Sequence, residues 1–447
     1  MSLIRGSINV TDREDVRTTK ADNSNIVEII DGDTFNKKPP VQAENPKITL
    51  KGSGICSELR IDEKMLSTHV MILGGIGTGK SNTFYHLISQ TRSNMTKDDV
   101  AIIFDTKGDF LEKFKKEGDV VISNDDFATG PNQLDYWNIF EEIDKENPEE
   151  HMRELCRALF KESIDKSSNA YFPTAASDLL YALMHCFYHR PDKSPNNKML
   201  LDYVKRSTAK DYLDLLGEIP HLRYITNHIS DPHSPQTQGV IAEMNTVLDK
   251  VFIGNFAKEG NLSMHDLVKE KYGRTIFIEY DIKTGEVLTP IYSLLIDMAI
   301  KQALSKQTER KGSVYIFVDE FKLLPNLSHI DDAVNFGRSL GIKMVVGLQT
   351  ITQMYDNYGE YRAKSILSGF LNNFFFRVNN YESREFIKNY FGESVEKIMY
   401  RKQNDMGDYV ASRTVVKDKD IARLNVGEAI IAIPNTEPFV FKFEEWC

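Results

Sequence analysis

The chain has 447 residues, 41% hydrophobic and 27% charged, proportions of a globular protein with room for two or three domains. Its 55 Lys and Arg against 65 Asp and Glu leave a formal charge of −10. This argues against a nucleic-acid coat protein and confines any phosphate-backbone contact to local surfaces such as loops lining a pore. Residues 1–46 read as a flexible, polar N-terminal arm without the apolar run of a signal peptide. Residues 47–63 alternate weakly around Ile48, Leu50, Ile55 and Leu59, which predicts a short hairpin. Compact apolar runs follow at Val70–Leu73, Val100–Phe104, Val120–Ile122 and Thr275–Ile278, then at Val314–Val318, Lys343–Leu348 and Asn373–Val378. Continuous Val/Ile/Phe runs separated by helical stretches predict a parallel sheet covered on both faces. Between about 147 and 256 the strand signal vanishes, and helical spacing runs through 148–163, 173–189, 197–206, 208–216 and 235–252. No stretch approaches the ~20 apolar residues of a membrane span. Cys56, Cys156, Cys186 and Cys447 form no C-x-x-C pair, so no disulfide framework or zinc ribbon is expected. A reducing, cytoplasmic setting is the simplest.

The strongest local signal is Gly74-Gly75-Ile76-Gly77-Thr78-Gly79-Lys80-Ser81, directly after one predicted strand and before a helix. It satisfies G-x-x-x-x-G-K-S in the context that gives the pattern meaning. Its glycines let backbone N–H groups close around phosphates, and the helix N-terminus adds a favourable dipole. Lys80 supplies a positive charge to the β- and γ-phosphates of ATP, and the Ser81 hydroxyl a ligand for Mg²⁺. Thr83, on the first turn of that helix, is counted with the nucleotide-contacting residues. Val314–Val318 delivers Asp319 and Glu320, one acid to hold Mg²⁺ and one to polarise the attacking water. Gln349 closes another strand and has two readings, a γ-phosphate sensor or a hydrogen-bonded strand end. Asp105, in Asp105-Thr106-Lys107-Gly108-Asp109, also has two: a group on the ligand-binding sheet edge or the start of a tight turn. The prediction is an α/β fold, a RecA-like P-loop NTPase core with a mainly parallel central sheet and an inserted all-α domain. Its parts are the arm (1–46), the first half of the nucleotide-binding domain (47–146), the insertion (147–256) and the second half (257–447).

These elements, in this order, resemble the TrwB/TraD-type coupling proteins of bacterial conjugation and the wider HerA/FtsK group of hexameric DNA translocases. The resemblance is carried by Gly74–Ser81, Asp105–Asp109 and Phe317-Val318-Asp319-Glu320-Phe321. It continues in Gly337-Arg338-Ser339-Leu340-Gly341-Ile342 running into Gly347-Leu348-Gln349-Thr350, and in Arg377-Val378, Glu382-Ser383 and Phe391-Gly392-Glu393. It implies a ring, usually of six subunits, with nucleotide sites between neighbours and DNA threaded through the centre. It also makes Arg338 and Arg377 candidates for an arginine reaching a neighbour's γ-phosphate. Most coupling proteins begin with transmembrane helices, which are not seen here, so a relaxase, a nuclease or a separate membrane anchor is a possible partner. The leading expectation is an ATPase that moves DNA. The rivals are a HerA-like helicase subunit working with a nuclease in DNA processing or phage defence, and a nucleotide-gated scaffold that recruits proteins.

Other residues read as structural. The basic run Lys113–Lys116 is expected to be a solvated helix face. Phe374-Phe375-Phe376 is expected to be a buried strand rather than a base-stacking platform, and Tyr136–Phe140 to pack against the insertion. His185 and His189 stand four apart on a predicted helix, but the sequence offers no third ligand beside them.

Overall fold

The computed structural model describes residues 43–446 apart from 54–55, 125–135, 191–193, 218, 282, 306–311 and 403–404, together with β1 (Ser2–Leu3). For β1 and residues 394–413 it describes the backbone alone. Most of the expected arm, and Ile55, lie outside the described residues.

The hairpin expected at 47–63 is β2 (Ile48–Lys51) paired antiparallel with β3 (Glu58–Ile61). The apolar runs become β4 (Val70–Leu73), β5 (Val100–Asp105), β6 (Val120–Ile122), β7 (Thr275–Glu279), β8 (Val314–Val318), β9 (Ile342–Leu348) and β10 (Asn372–Phe376). β11 (Glu393–Lys402) and β12 (Asp405–Thr414) form a long antiparallel hairpin, with β1 added along β11. β13 (Glu428–Ala432) and β14 (Phe439–Lys442) complete a nine-stranded sheet of order β14-β13-β10-β4-β9-β8-β5-β7-β6. From β10 to β6 every neighbouring pair is parallel, and β13 and β14 form an antiparallel margin.

Every residue of β4, β5, β9 and β10 is buried, as a sheet covered on both faces requires. Alternate side chains divide between two cores. Met71, Leu73, Ile102, Phe104, Ile316 and Met344 meet the helix Gly285–Leu304 and the helical segment. Val70, Ile72, Ile103, Phe317 and Val345 meet Phe84, Leu87 and Ile88 of the helix Lys80–Asn94, together with the β2–β3 hairpin. Gly285–Leu304 is long and apolar enough to cross a membrane by length and composition, which corrects the expectation that no stretch approaches such a span. Packing explains its character: 67% of its most apolar window is buried inside the protein, where it covers one face of the sheet.

No strand occurs among the described residues between β6 and β7. The helices there are Pro148–Lys166, Tyr171–Tyr188, Asn197–Arg206, Ala209–Gly217 and Pro235–Val251, with a 3-10 segment at Pro220–Ile229. Their starts are written in the sequence. Pro148 opens its helix with Glu149 and Glu150 in the first turn, complementing the dipole. The side chains of Asn196 and Ser234 accept from the N–H groups of Met199 and Thr237, at 2.9 and 3.1 Å. Where the segment leaves the sheet, Asn197 Nδ2 donates to the carbonyls of Trp137 and Phe256, both at 2.9 Å, and its Oδ1 accepts from Ile139 N–H at 3.0 Å. Glu142 is wholly buried and accepts from Trp137 Nε1 at 2.7 Å and Met264 N–H at 2.6 Å. Trp137 is thus a junction residue, as expected.

Candidate active site

In a parallel sheet the strands all end on one edge. Here that edge collects Gly74 after β4, Asp105 closing β5, Asp319 and Glu320 after β8, Gln349 after β9 and Arg377 after β10. The loop Gly74–Gly79 is tied to both flanking strands. Gly74 N–H donates to Leu348 O at 3.0 Å, and Gly75 N–H to Arg377 O at 2.9 Å. Gly77 and Gly79 take φ of 70° and 112°, which side chains rarely adopt. A Cβ on Gly74 would stand 2.5 Å from Phe376 Cβ, and one on Gly79 would stand 3.0 Å from the Gly427 Cα. The loop is latched from the far side as well, because Gly427 N–H donates to Thr78 O at 2.9 Å.

Lys80, first residue of its helix, folds back so that Nζ lies 2.6 Å from Gly74 O and 3.0 Å from Gly75 O. Burial pushes its pKa down, Glu320 and Asp319 pull it up, and Lys107 adds to the downward push. The Thr78 hydroxyl donates to Gly75 O at 2.8 Å, and Ile76 stands exposed at the loop tip. Ser81 is half-buried at the second helical position. Thr83 is completely buried and its hydroxyl donates to Gly79 O at 3.3 Å, so it props the loop from within the helix.

The acids face this loop. Thr106 Oγ1 sits 3.0 and 3.1 Å from the two oxygens of Asp319. Burial, more than the nearby Asp105 and Glu320 charges, pushes Asp319 up to about 7 against the Thr106 hydrogen bond. Glu320 is also raised by burial, with Gln349, Lys80 and Lys322 opposing. Gln349 Nε2 donates to Glu320 Oε2 at 2.6 Å, while Glu320 Oε1 is buried with no hydrogen-bond partner among the described residues. A buried carboxylate oxygen without a donor, beside an ammonium and a glycine-lined loop, fits a site built around a metal-bound phosphate and its attacking water. Gly347 permits the approach of β9 to β8, since a Cβ there would lie 2.2 Å from the Asp319 carbonyl oxygen.

Asp105 is fully buried and spends both oxygens on backbone. Oδ1 accepts from the N–H groups of Lys107 and Gly108, and Oδ2 from those of Phe110 and Leu111, at 2.8 to 3.1 Å. Of its two readings, this geometry is that of the turn former, which holds Thr106 and Lys107 at the sheet edge. Arg377 lies beside its own loop through its carbonyl, and its guanidinium reaches Leu424 O at 3.5 Å. Arg338 is elsewhere: it is exposed, on the 3-10 turn Gly337–Leu340 just before β9 begins. Sequence reasoning missed Thr106, Gly347 and Gly427 as members of the site. A hydroxyl directly after the strand-ending Asp105 was the one signal available for Thr106.

Residues 55–443 match the family model described as the type IV secretion-system coupling protein DNA-binding domain. The coupling protein TraD of Escherichia coli (strain K12) is 22% identical over 439 residues, covering 89% of this chain. The chain spans about half the length of that relative, 56%. Among solved structures, the conjugative coupling protein TrwB superposes with a TM-score of 0.71 in complex with sulphate and 0.68 in complex with the ATP analogue ADPNP. Both are 19% identical and cover 91% of each chain, a likeness of fold. TrwB with ADP and Mg²⁺ gives a TM-score of 0.64 at 18% identity, again over 91% of each chain. With the family model matching most of its length, the chain belongs to the type IV secretion-system coupling protein DNA-binding domain family.

Proposed function

We propose that this chain is an ATPase motor that couples hydrolysis to the passage of DNA through a hexameric ring of its own subunits. The observation that carries the reading is the convergence, on one sheet edge, of the Lys80 ammonium, the Thr106–Asp319 pair and the Gln349–Glu320 pair. Lys80 and the loop amides bind and orient the triphosphate, and Ser81 and Asp319 hold Mg²⁺, which supplies charge neutralisation at the phosphates. Glu320, oriented by Gln349, polarises the attacking water. TrwB, whose fold this chain shares, has been solved with ADPNP and with ADP and Mg²⁺, which supports ATP and Mg²⁺ as the ligands. The family's description as a DNA-binding domain supports DNA as the substrate that is moved. The helical region 147–256 is proposed as a distinct domain and the cytoplasm as the place of work.

The test is the rate of ATP hydrolysis with and without single- or double-stranded DNA, in the wild type and in Glu320→Gln. A motor is stimulated by DNA, and the variant binds ATP while losing turnover by about 10²-fold or more. Turnover indifferent to DNA but raised by a protein partner would instead support a recruiting scaffold.

A further inference from the structure

Three side chains of metal-ligating type converge at one end of the helical region, with a fourth, His221, against one of them. Glu149 lies in the first turn of Pro148–Lys166, His185 in the last turn of Tyr171–Tyr188, His189 at its C-cap, and His221 at the start of Pro220–Ile229. The sequence places two of these histidines four residues apart, and folding brings the other two groups to them. His185 Nε2 lies 2.8 Å from Glu149 Oε1 and 3.2 Å from His221 Nε2, and His189 Nε2 lies 3.5 Å from the same Glu149 oxygen. Donor atoms of Glu149, His185 and His189 all fall within 4.8 Å of one another.

Protons alone serve this arrangement badly. His185 Nε2 faces both a carboxylate oxygen and the Nε2 of a second imidazole. If it carries a proton for Glu149, it has no lone pair for His221; if it accepts from His221, it has nothing to donate to Glu149. Protonating all the rings would crowd cations around one carboxylate.

We infer that Glu149, His185 and His189 form a three-ligand site for a first-row divalent transition metal, zinc being the best match, with a water completing its tetrahedron. A tetrahedral zinc with bonds of about 2.0–2.1 Å holds its ligand atoms roughly 3.3 Å apart, a spacing that the 2.8 and 3.5 Å contacts to Glu149 bracket. Two further features prepare the site. The Tyr181 hydroxyl donates to Glu149 Oε2, fixing the carboxylate with Oε1 toward the imidazoles, the kind of outer contact that ligands carry. The cluster also sits at the C-terminal end of Tyr171–Tyr188, whose dipole favours a cation. A bound ion would tie the start of Pro148–Lys166 to the end of Tyr171–Tyr188, a structural staple away from the sheet-edge acids.

The experiment uses the untagged full chain, stripped of metal and free of nucleotide and Mg²⁺. Calorimetric titration with Zn²⁺ is expected to show one equivalent per chain that His189→Ala and Glu149→Gln each weaken by about 10-fold or more. His233→Ala, outside the cluster, should leave it unchanged. Co²⁺ should give the intense visible absorption of a tetrahedral centre in the wild type and lose it in both variants. His189 is half-exposed, so its variant should fold even if Glu149→Gln does not. Equal Zn²⁺ binding by the wild type and His189→Ala, or a weak octahedral Co²⁺ spectrum, would overturn the site.

Discussion

Thr106 supplies the one hydroxyl contact among the described residues that steadies Asp319, a carboxylate that burial drives toward its neutral form. Replacing Thr106 by Val keeps the shape and removes the donor. Partners of this kind typically tune a metal site by about 10–100-fold, so Thr106→Val should lower turnover and raise the Mg²⁺ requirement by that order. Thr106→Ser should restore both, as read from ATPase rate against Mg²⁺ concentration. Gly347 is a different case, a steric one. A methyl at that position meets the Asp319 carbonyl oxygen at 2.2 Å, and backbone cannot step aside as a side-chain tip can. Gly347→Ala should cost about 1–3 kcal/mol in chemical denaturation, and it should displace Asp319 as well. The phosphate loop was readable because its chemistry is local, eight consecutive residues with a strand before and a helix after. The Thr106–Asp319 contact joins positions 213 apart in sequence, and nothing local announces it. Asp105 shows the converse: an acid at the ligand edge whose oxygens are consumed by the turn it builds.

Among the elements, the parallel strands were legible because burial on both faces writes them as unbroken Val/Ile/Phe runs. The helical region was legible through its period, its prolines and its caps. The β11–β12 hairpin was not. Its strands mix Glu, Lys, Arg and Met without clean alternation, and the intervening Gln403-Asn404 lacks the glycine that marks a two-residue turn. Contacts that join the helical region to the sheet were equally hidden. His329 Nδ1 lies 3.1 Å from Asp297 Oδ2 on the core helix, and its Nε2 lies 3.4 Å from Glu154 Oε1 on the first helix of the helical region. Burial lowers the His329 pKa, but Asp297 and Glu154 together outweigh it and raise the group above its ordinary value. A raised folded pKa means stability fully present below the unfolded value, about 6.5, and lost as pH rises through the folded one. The stability advantage of wild type over His329→Gln should therefore be largest near roughly pH 6 and shrink by roughly pH 8.5. Urea denaturation at the two pH values reads the difference directly.

At the scale of the whole molecule, the proposed ring raises the question of which arginine a neighbouring subunit would supply. Arg377 follows β10 on the same edge as its own phosphate loop, and its carbonyl accepts from Gly75 N–H, so it stands beside its own loop. Arg338 precedes β9, whose seven residues at ~3.3 Å each separate it from that edge by roughly 20 Å, beyond the reach of a side chain. It is exposed next to Phe336, itself 61% exposed, a pairing suited to contact with another subunit. We propose that, in a ring, Arg338 is the group presented to a neighbour's γ-phosphate. Loss of such an arginine lowers turnover by about 10³-fold or more. Mixing separates the two geometries. Lys80→Ala subunits have a dead pocket but an intact Arg338, while Arg338→Ala subunits have an intact pocket and nothing to offer. Their hybrid interfaces should regain hydrolysis. The equivalent mixture with Arg377→Ala should stay inactive, because the only pockets able to bind ATP would lack their own Arg377. Activity recovered with Arg377→Ala and absent with Arg338→Ala would reverse the assignment.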